Sequence, residues 1–232
     1  MSMAGLANLV AAMTAFVGTH FLLSHPLRPA LVGRLGERPF LGLYSLVALL
    51  TFGWVILAAR TAPDTPLWWI APSWAWQVAS IVMLFASMLL LGSFFGNPAI
   101  PDPTGKRRMP GEARGIFAIT RHPMMWSFTI WAVVHALLWG SASNLVITSG
   151  IGILAFFGAL AQDAKKKRLL GEAWREWEAR TSFWPFGAQL AGRSPWRATL
   201  PRPALLAGGL ILWLIATLAH GWLGGPEVGP WH

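Results

Sequence analysis

Six apolar stretches, at 5–23, 40–59, 74–95, 124–139, 145–161 and 204–223, alternate with segments that hold the chain's charge. No Asp, Glu, Lys or Arg occurs in 1–27, 39–59, 65–101, 122–162 or 203–226. Runs of about 17–25 apolar residues are long enough to cross the hydrocarbon of a bilayer. The fourth is the shortest, and a tight turn at 140–144 leads into the fifth. In lipid each backbone polar group must be satisfied within its own segment, so every stretch is predicted helical. The expected architecture is all-α: one integral membrane domain over 1–232, a polytopic bundle of about six transmembrane helices. The first stretch is not read as a signal peptide, because it lacks a basic leading region and a small-residue cleavage site. Residues 168–181 predict an amphipathic helix, with Leu170, Ala173, Trp174 and Trp177 on one face. Such a helix is expected in the membrane interface, tryptophans down; an ordinary cytoplasmic cap is the alternative.

Composition agrees with the pattern. The 232 residues are 55% hydrophobic and 12% charged, about half the charged fraction of a soluble domain. Fifteen Trp and one Tyr suit a chain that meets lipid headgroups. The absence of Cys excludes disulfides, thiolate metal sites and covalent haem attachment. A net charge of +9 would suit nucleic acid, but 17 of the 18 Lys and Arg fall in three alternate loops. These are Arg28–Arg38, Lys106–Arg121 and Lys165–Arg202. That is a topology signal: the three loops face the cytoplasm and both termini face the periplasm of a bacterial inner membrane. The partner it implies is anionic lipid, not a nucleic acid, which needs its cations on one folded soluble face. The sequence is silent on oligomeric state.

The chemistry lies in the histidines. His20 in the first helix and His135 in the fourth are ionisable groups inside apolar stretches, which by default mark a functional site. Trp131 and Trp139 flank His135 one turn on either side, and Phe16 precedes His20 by one turn. Two histidines on different helices suit a haem iron clamped from both faces, with aromatic rings over the macrocycle. They suit equally well a pair of structural histidines bonded between helices, and on residues alone that reading weighs more. At 1.5 Å per residue their depths differ by about 12 Å, which strains a shared iron. His220 lies near the outer end of the sixth stretch, where it can reach the interface. Arg121 and His122 open the fourth helix before Pro123, and are expected to bind an anion such as a haem propionate or a lipid phosphate. No HExxH, P-loop or intramembrane carboxylate is present.

Three blocks carry a family resemblance. Gly18-Thr19-His20-Phe21-Leu22-Leu23-Ser24 with Leu27-Arg28 and Gly36-Glu37-Arg38 resembles the opening of the NnrU family. Thr120-Arg121-His122-Pro123-Met124-Met125-Trp126 with Trp131-Ala132 and His135-Ala136-Leu137 resembles its central signature. Gly171-Glu172-Ala173-Trp174 and Thr181-Ser182-Phe183-Trp184-Pro185-Phe186 match as well. The family is linked to nitrite and nitric oxide metabolism and is similar to the membrane isomerases of the ζ-carotene type. The resemblance implies haem b with His20 and His135 as iron ligands, and either redox or isomerase chemistry on a lipophilic, polyene-like substrate. It equally admits a non-enzymatic partner in denitrification. The Arg-His-Pro string also resembles the isoprenylcysteine methyltransferases. Those carry an acidic pair where this chain reads Gln162-Asp163-Ala164-Lys165, a departure that weakens that alternative.

Overall fold

A computed structural model describes residues 4–63, 65–98 and 111–225. Lys106, Arg107 and Arg108, which enter the charge pattern, lie outside the described residues. The described residues are helical and contain no strand; the one β-bridge, Ile70 to Trp139, is isolated.

Six helices match the apolar stretches: α1 (Ala4–Ser24), α3 (Glu37–Thr61), α4 (Ser73–Gly92), α6 (Pro123–Leu138), α7 (Ala142–Leu170) and α10 (Pro203–Leu218). Short helices α2 (Arg28–Leu35), α5 (Ile116–Ile119), α8 (Glu172–Arg180) and α9 (Gly187–Leu190) fill the connections. Among the described residues, α1, α3, α4 and α7 are long and apolar enough to cross a membrane. With 16 residues each, α6 and α10 are about 24 Å long, against a hydrocarbon core of about 30 Å. Length and composition thus support four of the six expected crossings directly, and α6 and α10 are apolar helices short for an unperturbed bilayer.

The long helices pack in the order α3, α1, α7, α6, α4, α10. Antiparallel α1 and α3 are joined at one end by Trp54 Nε1–H donating to Asn8 Oδ1 at 3.1 Å. A parallel contact joins α1 to α7, where Gly150 lies so close to Met13 that a Cβ has no room. Such close approach needs the smallest residue. An apolar cluster of Leu9, Ala12, Met13, Phe16, Val55 and Ala58 fills the α1–α3 seam.

At one end of the bundle the basic loops converge, with His25 beside Lys165 and Arg168. At the other, backbone bonds tie the 62–72 connection to the α6–α7 turn: Trp68 N–H to Gly140 O at 2.8 Å and Gly140 N–H to Trp69 O at 3.0 Å. Trp68, Trp69 and Trp74 are exposed there, the placement of an aromatic belt.

The amphipathic segment corrects the expectation from sequence. It is not one helix over 168–181: α7 continues to Leu170, Gly171 turns at φ +54°, and α8 begins at Glu172. Its tryptophan face does not point down into lipid. Trp174 and Trp177 are fully buried against Leu89, Ile116, Phe117 and Ile119. A helix can satisfy its apolar stripe on protein as well as on lipid, and here α5 and the end of α4 supply the surface. Trp174→Ala should therefore destabilise the fold by about 3–5 kcal/mol, measured as a lowered thermal midpoint in detergent. An unchanged midpoint would mean that this face is not core.

Candidate functional site

At the charged end, Pro123 starts α6 with its ring at a position where no N–H is needed. This leaves Arg121 and His122 in the extended approach to the helix. Their target is Asp163, one turn beyond the apolar part of α7. Arg121 donates from Nε to Asp163 Oδ2 at 2.9 Å and from Nη2 to the same oxygen at 2.6 Å. His122 Nε2–H donates to Asp163 Oδ1 at 2.6 Å. Lys167 pairs with Glu178 of α8 at 2.9 Å, and Glu178 lies 3.9 Å from Arg121. Burial alone would raise the Asp163 carboxyl. The hydrogen bonds and positive charge of His122 and Arg121 outweigh it and hold the group below the ordinary carboxylate value.

The anion expected at Arg121 and His122 is thus a carboxylate of the same chain. Around the pair, Trp126 Nε1–H and Thr120 Oγ1–H both donate to Phe183 O at 2.7 Å. Phe156, Phe183 and Trp184 pack on the Trp126 ring. Only Nδ1 of His122 is left buried with no hydrogen-bond partner among the described residues on this side chain.

The intramembrane histidines share one local design. His20 Nδ1–H donates to Phe16 O at 2.7 Å, and the Phe16 ring packs on the imidazole at 4.4 Å. His135 Nδ1–H donates to Trp131 O at 2.9 Å, and the Trp131 ring stacks on it at 4.3 Å. A carbonyl partner requires the hydrogen on Nδ1, so the neutral ring keeps its lone pair on Nε2. That is the form in which histidine ligates metals, and a second hydrogen bond fixing the ring is their usual support. The donor chemistry of each histidine fits haem iron.

A common iron does not fit. In packing order α7 stands between α1 and α6. Met13 of α1 lies against Gly150, and Ala132 of α6 lies against Gly152 on the antiparallel α6–α7 hairpin. His20 is then level with roughly residue 157 of α7 and His135 with roughly residue 149, an offset of about 12 Å toward opposite ends. Instead His135 faces His220, which follows α10, with ring centroids 5.9 Å apart. Both rings carry nitrogens able to ligate a metal, and those of His220 lie against Gly225. Trp139 does not cover His135; it turns to Trp76, at 6.5 Å. Among the described residues no group of three or more His, Cys, Asp or Glu is arranged for a metal ion.

Asp163→Asn should remove the negative charge and turn one of the two acceptor oxygens shared by Arg121 and His122 into a donor, destabilising the protein by about 3 kcal/mol or more. Because the folded carboxyl is held below its ordinary value, its contribution is complete above about pH 4 and is lost as pH falls through the lowered value. Acid unfolding of wild type and D163N in detergent checks this: the wild type should lose stability below pH 4, and the variant should lack that component.

The chain matches the family described as NnrU protein over residues 8–228. The chloroplastic 15-cis-zeta-carotene isomerase of Arabidopsis thaliana is 28% identical over 163 residues, covering 68% of this chain and 44% of that protein. The corresponding protein of Zea mays is 36% identical over 81 residues, 34% of this chain and 22% of its own length. The chain spans less than half the length of these curated relatives. No solved structure matches it. An all-helical chain with membrane-length helices, matched by one family over nearly its whole length, belongs to the NnrU family.

Proposed function

We propose that this protein is a haem-b membrane protein of the ζ-carotene isomerase type, acting on a lipophilic, polyene-like molecule. The observation that carries the haem assignment is the facing pair His135 and His220, at 5.9 Å between ring centroids. Similarity to the two isomerases supports the substrate class. When bound, haem b supplies a redox-active iron. The chain's own contribution is to hold it. The Trp131 carbonyl fixes the His135 tautomer and Trp131 covers one face of the ring, so Nε2 is presented in a set direction. Asn144 Nδ2–H donates to the carbonyls of His135 and Trp139, at 2.9 and 2.6 Å, anchoring the end of α6 that carries the ligand. His20 has the same donor chemistry but belongs to a different depth and seam, so it is not the second ligand of this iron.

Arg121 and His122 hold α6 to α7 through Asp163, and neither is assigned to the cofactor. The protein resides in a bacterial inner membrane with its basic loops cytoplasmic and both termini periplasmic. Reporter fusions after Gly171 and after Gly140 should read the cytoplasm and the periplasm respectively; the reverse would overturn the orientation.

Purified protein from haem-supplied cells should show a Soret band with low-spin character. His135→Ala should abolish or strongly shift it, His220→Ala should convert it toward a high-spin form, and His20→Ala should leave it unaltered. A spectrum that responds to His20→Ala but not to His220→Ala would overturn the pairing. A wild type without haem would overturn the function.

A further inference from the structure

The parallel seam of α1 and α7 carries an apolar groove that neither helix fills. Val10, Thr14 and Gly18 line one wall, and Val146, Gly150 and Ile153 line the other, enclosing a cavity of about 360 Å³. Helical periodicity extends both walls toward the charged end. On α1 the stripe continues through Phe21 to His25, whose rings stack at 6.3 Å. On α7 it continues through Phe157, which is 52% exposed, to Arg168. Gly18 lies about 10 Å and Val10 about 22 Å from His25 along α1. One leaflet of hydrocarbon is about 15 Å deep, so the stripe from His25 to Gly18 lies in the cytoplasmic leaflet and the cavity continues past the midplane.

The end of this groove is strongly basic. Lys165 is half-buried between Arg28, Lys166 and Arg168, and Glu37 is the acid that acts on it. Glu37 is already taken by Arg28, at 2.5 Å. Lys165 makes no hydrogen bond or ion pair among the described residues. Arg28 is thus neutralised by Glu37, while Lys165 and Arg168 leave a net positive charge at the end of the groove where the basic loops converge.

We propose that the α1–α7 seam binds one anionic phospholipid of the cytoplasmic leaflet. Its phosphate lies among His25, Arg28, Lys165 and Arg168, and one acyl chain runs down the groove past Gly18. Charge complementarity selects the headgroup, and the apolar walls take the chain. Burial, then the neighbouring Arg28, Lys166 and Arg168, depress the Lys165 ammonium to about 8. A bound phosphate would relieve that repulsion. The occupant differs in place and chemistry from the haem ligand at His135 and His220.

Native mass spectrometry of the full chain in detergent, titrated with dioleoyl-phosphatidylglycerol or dioleoyl-phosphatidylcholine, tests it. The wild type should retain one phosphatidylglycerol in preference to phosphatidylcholine. The double variant K165Q/R168Q should bind it about 30-fold more weakly, from the loss of two cations at the headgroup. Gly18→Leu places a side chain where nothing lies within 4 Å of a Cβ. It should fill the groove without disturbing packing, and should also lower retention. Arg197→Gln, at an exposed position of the short 3-10 helix Trp196–Thr199, should leave retention unchanged. Equal retention of the two lipids by wild type, or an equal loss in R197Q, would overturn the site. Full retention in G18L would overturn the seating of the chain in the groove.

Discussion

The carboxylate of Asp163 is the point on which the charged end of the bundle is built. It receives a fork from Arg121 and a ring N–H from His122, joining the first residues before α6 to the far end of α7. The α6–α7 hairpin is thereby closed at both ends: by Asn144 Nδ2–H donating to the carbonyls of His135 and Trp139 at the turn, and by this ion pair at the opening. Other contacts depend on that closure. The chain after α8 hydrogen-bonds to the segment before α6, through Arg121 N–H to Ser182 O and Phe186 N–H to Ile119 O. Arg193 then gathers the last carbonyls of α8. A buried pair of this kind is a weak source of net stability, but removing one member leaves the other charge without a partner. Its main effect is register: it fixes how far α6 can slide along α7, and hence the depth of His135.

Much of this was legible in the residues. Charge-free stretches located all six long helices to within a few residues, except where α7 runs on past Ala161 through its charged turn. Arg121 and His122 were recognisable as anion binders from their place before Pro123, because a helix start and a guanidinium favour the same chemistry. Their partner was not recognisable. Asp163 is 42 residues away, in a position that reads as the edge of a basic loop until the hairpin folds. His220 was missed for a related reason. It follows the last apolar stretch and reads as an interfacial histidine, and only the packing of α10 on α4, beside α6, brings it to His135. Amphipathicity was equally silent about Trp174 and Trp177, since a buried stripe has the same period whether protein or lipid covers it.

Neighbouring aromatic rings connect these levels. Phe16 on His20 and Trp131 on His135 are single-turn, local arrangements, set by spacing alone and formed whenever the helix forms. Which histidine meets another is a tertiary matter, decided by the position of α7 between α1 and α6. The fold thus separates two chemically similar imidazoles: among the described residues His135 lies beside a second imidazole, His220, whereas His20 meets the edge of Tyr44 at 5.5 Å.

The shortness of α6 and α10 has a further consequence for the surrounding lipid. These helices flank α4 on one side of the bundle, whereas α3, α1 and α7 on the other side are long enough to meet an unperturbed bilayer. The protein therefore presents an apolar belt of unequal height, and hydrophobic mismatch falls on one flank only. Lipid can adapt there by thinning or the short helices can draw in their polar ends. Where the lipid thins, the acyl chains beside α6 and α10 are shorter than those beside α3, α1 and α7.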